Sequence, residues 1–228
     1  MPDLTFANGS DERLSKTYYL HVTPIRRVGT GVLRSAFKTI SQLIVNGVED
    51  FPESGPVIIA CNHLTNFDVF PLQFSIPRPI FFMGKEELFR NATTDWFFRQ
   101  LGAFPVYRGE RDYWAFQHAI KILQSGQVLG MFPEGTRNKG QGLRSAKTGA
   151  ARLSIATGSS IIPVALNGTQ HLFNRFPHRT ALTVTIGLPI LASDDHTPIG
   201  LTDQVMFALA DLLPPEMRGV YGYHPPGF

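Results

Sequence analysis

The chain contains a single cysteine, Cys61, in 228 residues, which excludes an intramolecular disulfide and any cysteine-based zinc cluster and suits a reducing, cytosolic-side setting. No run of the sequence approaches the roughly 18 to 20 consecutive apolar residues that span a bilayer. The opening stretch from Met1 to Ser15 is polar and acidic, without the basic start and apolar run of a secretory signal. A charge excess is lacking too: 21 basic against 18 acidic residues leave +3, too weak a field for a nucleic-acid binder. Also missing are a Gly-x-x-x-x-Gly-Lys phosphate loop, a Gly-x-Gly-x-x-Gly turn, a Gly-x-Ser-x-Gly nucleophile elbow and a His-Glu-x-x-His metal helix. Neither a metal nor a bound cofactor is therefore expected, and any membrane is met from its surface.

What is present fits one domain, with 43% hydrophobic residues. Residues 1–22 read as a polar segment. Thr23-Pro24 opens a helical pattern that Gly47 ends, with Ile25, Val28, Val32, Leu33, Phe37, Ile40, Leu43 and Ile44 on one face and Arg27, Arg34 and Lys38 opposite. Between Lys16 and Gly47 there are five basic residues and no acidic one. Residues 23–47 therefore read as an amphipathic helix, either lying in an anionic membrane interface or packed on the core with a solvated basic face.

Residues 48–228 alternate strands with helices. Pro56 to Cys61, Pro79 to Met83, Ala103 to Tyr107, Val128 to Phe132 and Ile161 to Leu166 are short apolar runs of strand type. Between them Thr94 to Leu101, Asp112 to Gln124 and Ala146 to Thr157 carry helical patterns. Leu182 to Ile186 adds an edge strand, and Thr202 to Leu213 a closing helix stopped by Pro214-Pro215. The alternation predicts a single layered α/β domain whose mixed sheet is mostly parallel and flanked by helices.

Two segments carry candidate chemistry. His63 and Asp68 follow the first strand of that series, five positions apart; a bend at the strand-to-helix junction would let the carboxylate orient the imidazole and leave its other nitrogen free to take a proton. Thr65-x-x-Asp68 equally fits a helix capping box. Phe132-Pro133-Glu134-Gly135-Thr136-Arg137 runs off a strand into a turn, where open α/β sheets place ligands; it also fits a plain surface turn. Arg137, Lys139, Arg144, Lys147 and Arg152 follow without an acid among them, a candidate anion site or a solvated basic loop. Lys147 stands near a helix start, where its charge opposes the dipole and a bound phosphate would relieve it. Arg108, ending the strand after Gly102, can serve the same site. Phe67, Phe70, Phe81, Phe82, Phe97, Phe98 and Phe104 are core or the lining of an acyl groove.

In order, Asn62-His63 with Asp68, Gly102 to Arg108, Phe132 to Arg137 and Ile161-Ile162-Pro163-Val164 resemble the four blocks of the glycerolipid acyltransferase family, the 1-acyl-sn-glycerol-3-phosphate acyltransferase group. The resemblance spans about Phe51 to Pro189. It implies an acyltransferase domain, with His63 and Asp68 catalytic and Glu134, Gly135, Thr136, Arg137, Arg108 and Lys147 holding a glycerol phosphate. It further implies acyl-CoA or acyl carrier protein as donor, a lysophosphatidate-like acceptor, and a peripheral place on the cytoplasmic membrane face. Another lysolipid acceptor, such as a lysophospholipid or lyso-ornithine lipid, or a non-catalytic lipid-binding protein of the same fold, are the alternatives. The tail from Leu213 to Tyr221 has no assigned role.

Overall fold

A computed structural model describes residues 11–107, 112–174, 176–193 and 195–224. The chain runs α1 (Pro24–Ile40), β1 (Ser41–Asn46), β2 (Val57–Cys61), α2 (Val69–Ser75), β3 (Ile80–Lys85), α3 (Ala92–Gln100), β4 (Ala103–Val106), α4 (Tyr113–Gln124), β5 (Val128–Met131), α5 (Gly149–Thr157), β6 (Ser160–Asn167), β7 (Thr180–Ile186) and α6 (Pro198–Asp211). The strands form one sheet in the order β1-β7-β6-β2-β5-β3-β4. Every neighbouring pair is parallel except β6 with β7, so the layered, mostly parallel α/β architecture holds.

The central strand explains its own sequence. All five residues of β2 are buried, as a parallel strand covered on both faces requires, and so it reads as an unbroken apolar run. Val57, Ile59 and Cys61 join a core with Leu72, Met206 and Leu209 on one face. Ile58 and Ala60 face Ala119, Ile122 and Leu153 on the other. Each large aliphatic side chain sealed in this way contributes roughly 1.5–3 kcal/mol.

Two expectations need correction. The first helix stops at Ile40, where the Ser41 hydroxyl donates to the Phe37 carbonyl at 2.7 Å. Residues 41–46 form β1, with Leu43 and Val45 inward and Gln42, Ile44 and Asn46 out. Leu43 and Ile44 satisfied the helical period by coincidence, and β-branched Ile44 and Val45 suit a strand better. Residues 23–47 are thus not one unit, and the expected boundary after residue 47 falls inside the sheet's own domain. For the same reason β7 is not an edge strand, because β1 pairs with its outer side.

The apolar arc of α1 also divides. Phe37 packs against Phe70 and Phe74, with ring centroids 5.9 and 5.6 Å apart, whereas Ile25, Val28 and Val32 stand exposed. No described helix is long and apolar enough to cross a membrane. Of the polar amino-terminal segment, Arg13 is buried, paired with Asp112 at 2.5 Å and set over the Trp114 ring.

Candidate active site

Parallel pairing brings the carboxyl ends of three strands together. Ala60 of β2 sits beside Met131 of β5, and Cys61 beside Val164 of β6. The loops leaving these strands therefore meet at one end of the sheet, where such folds hold ligands. Asn62 makes the exit possible: its side-chain amide replaces the backbone ladder, donating to the Leu166 carbonyl at 2.8 Å and accepting from the Leu166 N–H at 2.7 Å. The backbone is then free to turn away at His63.

That turn joins the predicted pair. Asp68 Oδ2 accepts from His63 Nδ1 at 2.8 Å, from the Leu64 N–H at 2.6 Å and from the Thr65 N–H at 2.8 Å. Oδ1 accepts from the hydroxyls of Thr65 at 3.1 Å and Thr169 at 2.6 Å. A carboxylate oxygen surrounded by donors accepts, so Nδ1 is the ring nitrogen that donates and Nε2 is the one Asp68 does not engage. The Thr65 N–H bond closes a turn ahead of α2, whose N-cap is Asp68 rather than Thr65, so the Thr65-x-x-Asp68 turn and the His63–Asp68 pairing coexist without a helix capping box. The imidazole also stacks on Phe132, with centroids 4.1 Å apart and planes at 17°. Next to it, burial, with the Asp68 and Glu134 carboxylates adding to it, pushes the Cys61 thiol well above its usual range. Cys61 is therefore no thiolate nucleophile.

Glu134 differs from expectation. Its carboxylate is buried and turned into the protein, accepting from the His63 N–H at 2.9 Å, from Asn138 Nδ2 at 3.0 Å on both oxygens, and from the Arg144 N–H at 3.0 Å. It braces the loops after β2 and β5 against each other rather than facing a ligand. A carboxylate pointed at a phosphate would in any case repel it. Gly135 follows at φ +67°, and a Cβ there would crowd the Lys147 side chain, so glycine serves both the left-handed turn and the close approach of the lysine. Thr136, Arg137 and Lys147 are exposed. Among the described residues no carboxylate lies within ion-pair distance of Arg137, Lys139, Arg144 or Lys147. Arg108 lies outside the described residues.

The carboxy-terminal tail finds its place here. Leu143 donates its N–H to the Met217 carbonyl at 3.0 Å, Val220 returns a bond to the Leu143 carbonyl at 3.1 Å, and the Tyr221 hydroxyl accepts from the Ala146 N–H at 3.1 Å. The tail straps down the loop that carries Arg144. Asn138 and Thr169 carry no local sequence signal as part of the site, and Asn62 carries one only through its place in the first motif.

His63 and Arg137 line the same cleft, about 370 Å³ in volume, which continues between Leu33 of α1, Phe70 of α2, Phe82 of β3 and Phe97 of α3. Phe74 and Phe98 line it as well. Phe81 and Phe104 do not, being packed into the opposite core, and Phe67 sits half out of the surface, edge-on to Phe173. An apolar trough leading to an imidazole and the unpaired Arg137 can seat a chain with a charged head, whereas Lys147 lines a separate small cavity with Pro133, Ala150 and Val205. Among the described residues no group of three or more histidine, cysteine or acidic side chains is placed to hold a metal.

The acyltransferase family model matches residues 42–167. The chain is 34% identical over 134 residues to a 1-acyl-sn-glycerol-3-phosphate acyltransferase of Borreliella burgdorferi, a match covering 58% of this chain and 54% of that one. A protein of the same name from Bacillus subtilis is 31% identical over 147 residues, covering 64% and 72%, and one from Escherichia coli 30% over 149 residues, covering 61% and 58%. The chain thus spans about half the length of the Borreliella relative. Among solved structures it resembles the 1-acyl-sn-glycerophosphate (LPA) acyltransferase PlsC from Thermotoga maritima, with a TM-score of 0.66, 25% identity and coverage of 82% and 79%. The family match takes in more than half of the 228 residues and holds both the His63–Asp68 turn and the Glu134 brace between its first and last strands, so this chain belongs to the acyltransferase family.

Proposed function

We propose that the protein transfers a fatty acyl group from an acyl thioester, acyl-CoA or acyl carrier protein, to the sn-2 hydroxyl of 1-acyl-glycerol-3-phosphate, yielding phosphatidic acid at the cytoplasmic face of the cell membrane. The relatives' names state 1-acyl-sn-glycerol-3-phosphate acyltransferase activity for those proteins. The observation that carries the reading is the 2.8 Å bond from His63 Nδ1 to Asp68, in the wall of an apolar cleft that Arg137 also lines.

An alcohol needs a base at its proton before it attacks a thioester. His63 Nε2 takes that proton as the acceptor oxygen bonds to the thioester carbon, and Asp68 stabilises the resulting imidazolium. The tetrahedral intermediate then collapses, the C–S bond breaks, and the thiolate leaves and regains a proton from His63. Free thiols have a pKa of about 8.5, so departure asks little acid help and one base suffices. No acyl-enzyme forms. The acceptor phosphate meets Arg137, with Thr136, Lys147 and Arg108 around it; Gly135 lets the backbone come close, and Glu134 holds the loops that present them. The acyl chain lies along Phe70, Phe82 and Phe97.

Attachment to the membrane is peripheral in this reading. The exposed ridge of Ile25, Val28 and Val32 enters the interface while Arg27, Arg34 and Lys38 meet anionic head groups. The test is a donor-by-acceptor matrix on purified protein, read by thiol release, with lysophosphatidate, lysophosphatidylcholine and lyso-ornithine lipid as acceptors. Lysophosphatidate is expected to be preferred, and His63→Ala to lower turnover on the order of 10²-fold to 10⁴-fold. Turnover of lysophosphatidate at the wild-type rate by His63→Ala would end the proposal.

A further inference from the structure

Beside the catalytic cleft lies a second cavity of about 290 Å³, and three arginines from one helix, Arg26, Arg27 and Arg34, line it. Thr30 and Gln73 line both cavities, so the two adjoin. His63 and Arg137 belong only to the larger one.

The charge in this second cavity is uncompensated. Arg26 is 2% exposed. One arm of its guanidinium donates to the Ile80 carbonyl at 2.5 Å; the other, Nη1, has no hydrogen-bond partner among the described residues. The group lies over the Phe81 ring and against Gly102, so Arg26 adds its charge behind the wall while Arg27 and Arg34 are the cations an anion can reach. Burial lowers its pKa to about 10. Arg27 and Arg34 are exposed, and neither they nor Arg26 have an ion-pair partner among the described residues. Neither α1 nor α2 contributes an acidic residue. Like charges in one concavity repel until an anion enters, and guanidinium groups bind phosphate oxygens in pairs.

The helix also sets the height of this cavity. At about 100° per residue, Arg27 and Arg34 lie within about 20° of each other and roughly 145° around from the centre of the exposed Ile25, Val28 and Val32 ridge. With that ridge in the acyl boundary, the arginines stand at head-group level. We propose that this cavity is a second phosphate site, taking the phosphate of a membrane glycerophospholipid at the lipid side of the catalytic cleft. The proposal rests on the membrane-surface reading above and goes beyond it, because it assigns a bounded pocket rather than a diffuse basic face.

Calorimetric titration with dihexanoyl phosphatidate tests it, since this soluble lipid has no free hydroxyl to be acylated. Arg137→Ala protein is used so that the catalytic phosphate position is disabled. One saturable site is expected to remain. Adding Arg27→Gln with Arg34→Gln should weaken it about 25-fold or more, about fivefold for each cation. Adding Lys38→Gln instead removes a charge from the same helix but not from the cavity wall, and should leave affinity nearly unchanged. Absence of a saturable site in Arg137→Ala, or equal weakening by Lys38→Gln, overturns the proposal. Displacement by an equal concentration of inorganic phosphate overturns the lipid assignment, leaving a site for the phosphate group alone. Turnover of a soluble short-chain lysophosphatidate by the wild-type protein is measured alongside. Its loss would count against the acyl-transfer reading, whereas a failed titration with turnover intact counts against this site only.

Discussion

Replacing Glu134 by glutamine separates a brace from a ligand. The side chain keeps its shape, but one oxygen becomes an NH2 group that donates. In the native site both oxygens only accept: Oε1 faces the His63 N–H and Oε2 the Arg144 N–H, with Asn138 Nδ2 bonded to each. Whichever way the glutamine amide turns, its NH2 meets one of the two main-chain N–H groups. Asn138 cannot relieve the conflict by flipping, because its Oδ1 already accepts from the Gly140 N–H at 2.9 Å. At least one charge-assisted bond is lost and a buried donor is left unpaired, which costs about 3 kcal/mol. For a chain of this size the melting temperature should fall by roughly 6–12 °C. Because the His63 backbone loses its anchor, kcat should drop by about 10-fold to 100-fold, while KM for lysophosphatidate stays within about twofold. Differential scanning fluorimetry and thiol-release kinetics read both. An unchanged melting temperature with a many-fold rise in acceptor KM would refute the reasoning and return Glu134 to the substrate.

Arg137→Ala should instead raise the acceptor KM with a smaller effect on kcat, as loss of phosphate binding requires; unchanged kinetics at subsaturating lysophosphatidate would remove it from the site. His118 stacks on Trp114 with planes at 2° and meets Phe104 edge-on, and burial, with a lesser effect from Lys121, lowers its pKa from 6.5 to about 4. Between those values the unfolded chain binds a proton that the folded one refuses, so stability is full above pH 6.5, declines as pH falls, and levels off below 4. The loss reaches up to about 3 kcal/mol. His118→Phe should flatten this dependence in urea unfolding at pH 7 and pH 5; a variant as acid-sensitive as the wild type would disprove the assignment. Gly219 has φ +53°, and an added Cβ would overlap the Leu143 carbonyl oxygen. Gly219→Ala should therefore lift the tail strap and destabilise the protein by about 1–3 kcal/mol, seen as a lower melting temperature and faster proteolysis of the tail; an unaffected protein would mean that the tail carries no load.

Much of this was legible along the chain. The apolar run of β2, the alternation of strands with helices, and the two motifs after β2 and β5 each express a local rule: burial on both faces, hydrophobic period, or a residue type that a turn or a proton transfer demands. The α1 to β1 break escaped because Leu43 and Ile44 satisfy helical and extended periods alike over so few residues. The place of β7 escaped because a strand's own residues do not name its neighbours. By itself, the sequence determined that this is an α/β protein with a histidine and a carboxylate poised at a strand exit. Only the tertiary structure decided what those groups touch. Asp68 is held by Thr169, 101 residues further on, and the His63 backbone by Glu134, 71 residues further on. Those partners follow from β2 lying between β5 and β6 in the sheet, a choice made by the packing of whole faces rather than by any residue near the site.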